Sequence, residues 1–259
     1  MSALAPTIAL LKREIVRFLR QRSRVTGALA QPVVFWLLLG GGLNASFQPA
    51  GAAAGTSYVQ YFFPGTIAMV LLFTAIFATI STVEDRREGF LQGVLVAPIG
   101  RWEIVLGQCL GGTVLAVLQG GLCLVIAPFL GIPLTLVSLA ATFGIITLIA
   151  LALTSLGLII AWRMDSTQGF HAIMNLILLP MWVLSGALFP AAGAPAPLSW
   201  LMAINPLTYG LAALRRCLYW ADPALAGAVP ELRLSVAVTC VFFVVAFAAA
   251  TVTAERKAL

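Results

Sequence analysis

The chain has 259 residues, of which 61% are hydrophobic and only 9% charged, and its 15 Lys and Arg outnumber its 9 Asp and Glu. A water-soluble domain spreads charge over its whole surface. Here charge is confined to residues 12–24, 84–103, 163–165, 215–233 and 255–257, between apolar runs long enough to cross a bilayer, which excludes a soluble domain and leaves a basic excess that needs no nucleic acid to explain it.

Residues 3–23 have the pattern of an amphipathic helix. Leu4, Ile8, Leu11, Ile15 and Phe18 recur every three or four positions, while Lys12, Arg13, Arg17 and Arg20 occupy much of the remaining surface. The pattern predicts a helix lying in the membrane interface with its basic residues toward anionic headgroups; the plainer alternative is a cytosolic extension packed on a partner. Six spans follow: Val25–Leu43, Val59–Val83, Ile104–Phe129, Leu134–Trp162, Phe170–Phe189 and Leu234–Thr253. Only helices or closed barrels cross lipid, because every backbone polar group must be satisfied internally. These runs are too long and unbroken for barrel strands. The expected fold is all-α and integral to the membrane, one transmembrane domain over residues 1–259. The basic stretch before the first span and the length of that span both exceed a cleaved leader's, so the span is expected to be retained.

With the N-terminus in the cytoplasm, the inner segments hold 12 of the 15 Lys and Arg, leaving Arg215, Arg216 and Arg233 outside. Cytoplasmic loops carry that bias. Six spans return the C-terminus to the cytoplasm beside Arg256 and Lys257, as expected for a multi-pass protein of a bacterial plasma (inner) membrane. Asn44–Ser57, rich in Gly, Ala and Ser, reads as an outer loop. Gly131-Ile132-Pro133 is an outer turn and Arg163-Met164-Asp165-Ser166 an inner one.

Residues 191–231 break the pattern. A Pro/Ala/Gly stretch leads to Trp200–Ile204, then Asn205-Pro206, then an apolar helix Leu207–Trp220 stopped by Asp222-Pro223. Asn at the N-cap accepts an orphan N–H, and Pro at the first helical position has no N–H to waste. The run is too short to span, so it predicts a re-entrant or interfacial outer helix. Arg at mid-bilayer costs at least ~2.5 kcal/mol, so Arg215 and Arg216 are expected near the outer headgroups.

Enzyme chemistry has little to work with. His171 is the single histidine, which excludes HExxH, and no GxSxG occurs. Lys12 and Lys257 are the only lysines and neither follows a Gly-rich loop, so this chain has no P-loop for ATP. Cys109, Cys123, Cys217 and Cys240 lack metal-ligand spacing. Span interiors almost without ionisable groups argue against a proton- or sodium-coupled carrier. Phe35, Trp36, Phe62, Phe63, Phe73, Phe77 and Trp182 suit substrate stacking or simple packing equally.

The inner loop 84–103 is more informative. A block of mixed charge, Glu84-Asp85-Arg86-Arg87-Glu88, precedes a short amphipathic helix presenting Phe90, Leu91, Val94 and Leu95, which Pro98-Ile99-Gly100 ends. It suits docking on a soluble partner; the alternative is an ordinary solvated loop. This loop resembles the segment of type-2 ATP-binding cassette export permeases in which charge is followed by Gly-Thr-Leu-Glu, two aliphatics, Thr-Pro and a basic residue. Gly89, Leu91, Leu95, Pro98 and Arg101 match in order, while Phe90, Gln92 and Ala97 replace the commoner Thr, Glu and Thr. The Gly-Phe-Leu variant is more similar to the drug-resistance branch than to the polysaccharide-export branch. Asn205-Pro206-Leu207-Thr208-Tyr209 with Ala213-Leu214-Arg215 resembles the family's outer re-entrant motif, and Leu188-Phe189-Pro190 fits the end of span five.

The resemblance implies a half-size permease that homodimerises among membrane lipids and pairs with two copies of a separate ATPase. That partner would bind ATP and Mg, and this chain would hold no cofactor and no metal. The substrate would be lipophilic or amphiphilic (a drug, lipid or lipid-linked glycan). Glu84, Asp85, Arg86, Arg87, Glu88, Gly89, Phe90, Leu91, Leu95, Pro98 and Arg101 would couple the ATPase to the spans, and residues 3–23 would add a second contact. Spans one, two and five would line the route, with Asn205, Pro206, Tyr209 and Arg215 near its outer exit. The competing classes are an ion-coupled carrier and a non-pumping channel or scaffold component.

Cysteine accessibility tests the topology. Positions near Arg87 and Lys257 should label only from the cytoplasm, and positions near Ala53 and Ala226 only from outside. Labelling at Lys257 from the outer face removes the six-span arrangement.

Overall fold

A computed structural model describes residues 4–20, 22–43, 57–96 and 99–256. These residues form helices and connecting turns, with no strand among them. The helices are α1 (Leu4–Arg20), α2 (Arg22–Leu43), α3 (Tyr58–Arg87), α4 (Phe90–Val96), α5 (Arg101–Cys123), α6 (Leu136–Ala161), α7 (Thr167–Trp182), α8 (Ala196–Ile204), α9 (Pro206–Leu218) and α10 (Leu232–Arg256). A 3-10 stretch, Leu124–Leu130, continues α5, and a wide π-type turn, Val183–Ala187, continues α7.

Among the described residues, five stretches are long and apolar enough to cross a membrane: Tyr58–Arg87, Arg101–Leu130, Leu136–Ala161, Thr167–Ala187 and Leu232–Arg256. They coincide with expected spans two to six. The expected first span falls within α2, whose apolar stretch is Pro32–Gly42. The expected outer loop lies outside the described residues except for Ser57. Ser57 caps α3 by accepting the Gln60 N–H at 3.2 Å while the Gln60 side chain accepts the Ser57 N–H at 3.3 Å.

The core is built around α3. Every residue from Tyr61 to Ile76 is buried, because α2, α5, α6 and α7 surround the helix. This revises the placement of span two along a route between protomers: within one chain it is interior. Exposed apolar side chains stand on α2 (Val34, Phe35, Leu37, Leu38), α7 (Leu176, Ile177, Leu179) and α10 (Val241, Val244, Val245), with others on α5, α6 and α8. The helices approach one another through small residues. A β-carbon at Gly157 would lie 2.6 Å from Thr79 Oγ1, and one at Gly112 would lie 2.7 Å from Thr154 Cγ2. Lipid supplies no hydrophobic drive between helices, so such close packing carries the association.

α1 lies against α5 at the end of the bundle where α3 finishes. Its buried face is Thr7, Leu10, Glu14 and Phe18, whereas Ile8 is exposed. The apolar stripe expected from Leu4, Ile8, Leu11, Ile15 and Phe18 is therefore turned partly away from the protein. The cause is on α5, where Gly107 and Gly111 leave a shallow groove that admits α1 backbone-close. A β-carbon at Gly111 would sit 2.7 Å from Glu14 Cβ, an atom too near the backbone to give way.

Gly111→Leu should therefore lift α1 from α5, with an overpacking cost of about 1–3 kcal/mol. Limited proteolysis of the purified protein would show faster cleavage within residues 4–20. An unchanged cleavage rate would mean that the groove does not hold α1.

Candidate functional site

Two polar assemblies lie at opposite ends of α3. The first gathers the charge of α1, α3 and the turn after α6. Asp85 is 1% exposed and accepts a two-pronged bond from Arg13, Nη1 to Oδ2 at 2.5 Å and Nη2 to Oδ1 at 2.7 Å. Arg17 Nη1 also donates to Asp85, while its Nη2 reaches Glu84 Oε2 at 2.8 Å. Paired, planar Arg–carboxylate bonds of this kind are the strong ones. Arg86 turns the other way, donating to the Trp162 and Met164 carbonyls and pairing with Asp165. The charged block is thus largely consumed in joining α3 to α1 and to the α6–α7 turn.

That changes the reading of loop 84–103. Glu84, Asp85 and Arg86 are structural clamps, and Arg87 and Glu88 remain exposed. Gly89 turns the chain with a left-handed φ of 78°. Leu91, expected to face a partner, is 1% exposed and packs with Leu10, Ile104, Val105 and Trp162. Phe90 takes the outward position at 40% exposure, with the Arg13 guanidinium 3.7 Å from its ring centre. Trp102 is exposed beside Arg101 at the start of α5. Pro98 lies outside the described residues. Leu95 belongs to α4, and its side chain is likewise outside them.

Sequence reasoning missed Glu14. It is 5% exposed and accepts from Ser81 Oγ at 2.7 Å, beneath the Arg13 and Arg17 pairs. Burial pushes its carboxyl above the ordinary range; the Ser81 bond opposes that, and the neighbouring Asp85 charge adds to it.

The second assembly is a broken helix end. α7 contains Pro180, runs into the wide turn Val183–Ala187, and stops at Gly186, whose φ of 87° is left-handed. Expected span five, Phe170–Phe189, is therefore interrupted, and the Ser185-Gly186 pair was the available signal. The carbonyls released by the break are taken up by side chains. Asn205 Nδ2 donates to Met181 O at 2.6 Å and Ser185 Oγ to Trp182 O at 2.6 Å, while Thr208 Oγ1 shares its one hydrogen between Met202 O at 2.7 Å and Leu184 O at 3.3 Å. Tyr61 OH and Arg215 Nη2 both donate to Gly186 O at 3.0 Å, and Tyr58 OH to Leu188 O at 3.1 Å.

Asn205 also caps α9 as expected, accepting the Leu207 N–H at 3.0 Å with Pro206 at the first helical position. Tyr209 OH donates to Ala203 O at 2.9 Å. The expectation that Arg215 lies among the outer headgroups is corrected. It is 1% exposed, with its guanidinium 3.9 Å from the Tyr61 ring centre. Tertiary neighbours more than a hundred residues away enclose it. Arg216 is half-exposed and donates to the Val229 and Pro230 carbonyls at 2.7 and 2.6 Å. No cluster of His, Cys, Asp and Glu among the described residues could hold a metal ion.

The ABC-2 type transporter family matches residues 6–219 of the chain. The chain is similar to "Nodulation protein J" of Rhizobium leguminosarum bv. viciae, 28% identical over 236 residues that cover 90% of this chain and 87% of that protein. It is also similar to "Putative transport permease ycf38" of Cyanophora paradoxa, 28% identical over 210 residues that cover 80% and 71%.

Glu14 sets a pH signature. A carboxyl held more protonated in the fold than in the unfolded chain weakens the fold as pH rises from about 4.5, its ordinary value, through the raised one. Thermal unfolding in neutral detergent from about pH 4 to about pH 8 should show that loss. Glu14→Gln, which keeps an acceptor for Ser81 without the charge, should flatten it. A variant with the same slope as the parent would place the titration elsewhere.

Proposed function

The chain belongs to the ABC-2 type transporter family, membrane transport components that lack an ATPase domain of their own, and from that membership we propose that it is the membrane-spanning half of an ATP-driven exporter. A separate ATPase binds ATP and Mg and supplies the energy. The observation that carries the reading is the charged end of the bundle. There α3 is clamped to α1 and to the α6–α7 turn by Asp85, Glu84 and Arg86, while Arg87, Glu88, Phe90 and Trp102 are left on the surface. A partner that grips this surface moves a unit already tied together, so force applied at α4 reaches α3.

In this reading the charged end faces the cytoplasm of a bacterial cell, both termini lie there, and the broken end of α7 faces outward. Two copies pair through the apolar faces of α2 and α7, which a single chain leaves uncovered, and each copy carries one ATPase. The cargo is a lipophilic or amphiphilic molecule of the kind the drug-resistance-like loop suggests, a drug, a lipid or a lipid-linked glycan. The name of one relative, a transport permease, fits this reading.

The chain purified alone should hydrolyse no ATP, because it has no phosphate-cradling loop. Co-expressed with a partner ATPase subunit, it should copurify with that subunit and show hydrolysis. Phe90→Asp, which puts a charge into the exposed apolar contact, should weaken that association by about tenfold or more while leaving expression intact. Stoichiometric hydrolysis by the chain alone, or full association with Phe90→Asp, would overturn the reading.

A further inference from the structure

Arg215 is a buried cation with an unused donor. No carboxylate among the described residues pairs with it, and its Nη1, shut away from the surface, has no hydrogen-bond partner. The guanidinium is held by the Gly186 carbonyl and by Tyr61, through its ring face and its hydroxyl oxygen. Buried charges are normally paired, and an ionisable side chain enclosed at a membrane protein's core marks a site by default.

The side chain lines a cavity bounded by Tyr61, Ser185, Gly186, Thr208, Ala212 and Ala228. Two properties of the walls restrict what fits. They contain no acidic residue, so no carboxylate in the walls neutralises the cation. The wall hydroxyls already give their hydrogens to carbonyls: Tyr61 to Gly186, Ser185 to Trp182 and Thr208 to Met202 at 2.7 Å. The donor left for a guest is the guanidinium. The space is about 40 Å³, room for about three water-sized groups and so for one small oxyanion, not for a whole amphiphile. Ala228 is exposed at its edge and marks the way in.

We propose that this cavity binds an oxyanion, a phosphate or carboxylate, through Arg215, taken either as the headgroup of an amphiphile or as the free ion. Tyr61 and Gly186 hold the guanidinium in place, and the guanidinium supplies the charge-assisted bond. The inference is independent of any ATPase, since binding is measured on the isolated chain. Its failure would leave the permease reading standing.

The test uses the full chain in neutral maltoside detergent. Dodecyl phosphate, dodecanoate, inorganic phosphate and dodecyltrimethylammonium are titrated separately, with thermal stabilisation and equilibrium dialysis as readouts. Anions should bind saturably, at least about tenfold more tightly than the cationic amphiphile. Tighter binding of dodecyl phosphate than of inorganic phosphate assigns the site to a headgroup; equal binding assigns it to the free ion. Arg215→Gln should abolish the preference. Ala228→Trp, a substitution at an exposed position that plugs the mouth without touching the guanidinium, should also abolish it. Arg233→Gln, which removes an exposed charge at the same end, should leave it unchanged. Anion binding that survives both Arg215→Gln and Ala228→Trp, or no preference for anions in the parent, overturns the proposal.

Discussion

The carbonyls between Met181 and Leu188 impose the constraint on which this architecture turns. A helix that breaks inside a membrane protein exposes backbone acceptors that lipid cannot satisfy, so protein must satisfy them. Ser185 does so from within the break, and five residues of two other helices do the rest: Tyr58 and Tyr61 on α3, Asn205 and Thr208 around the start of α9, and Arg215 farther along it. The break in turn fixes where α9 lies. A second acceptor arises in α3, where Pro64 cannot bond back to Gln60, and Tyr219 OH fills that place at 2.6 Å. A β-carbon at Gly65 would lie 2.8 Å from Ala187 Cβ, so α3 can approach the break only because that side chain is missing.

At the other end the same economy holds with charges. Three acids and two arginines from α1 and α3 interlock, with Asp85 and Glu14 buried beneath Arg13 and Arg17. Removing Arg13 or Arg17 would leave the buried Asp85 carboxylate short of a partner, a loss larger than the intact pair's net gain. The block 84–88 therefore anchors α1, and only Arg87 and Glu88 within it remain exposed. Residues 3–23 and 84–103, separate elements in the sequence, form one body.

Much of this was legible in the residues. The apolar runs located the long helices, since hydropathy and backbone satisfaction leave helices as the way to bury such stretches. Asn205-Pro206 located the start of α9 because capping is a local interaction. What escaped was whatever depends on a distant neighbour. The inward turn of Leu91 needs Leu10 and Trp162, and the burial of Arg215 needs Tyr61. The rotated face of α1 needs the glycines of α5. In each case the local pattern predicted the element, and a surface more than sixty residues away decided which side of it faced inward. The break in α7 had a local sign, Ser185-Gly186, inside a run apolar enough to hide it.

α3 has 30 residues, so it is a rod ~45 Å long with hydrogen bonds into both assemblies. Its middle is buried on every side, against threonines and glycines whose close fit resists slippage. A helix changes length very little, since stretching it breaks the bonds that define it. Tilting Asp85 at one end therefore carries Tyr58 and Tyr61 at the other, and with them the carbonyls of Gly186 and Leu188. In kinematic terms α3 has the form of a connecting rod, and the left-handed turn at its far end already holds the buried arginine.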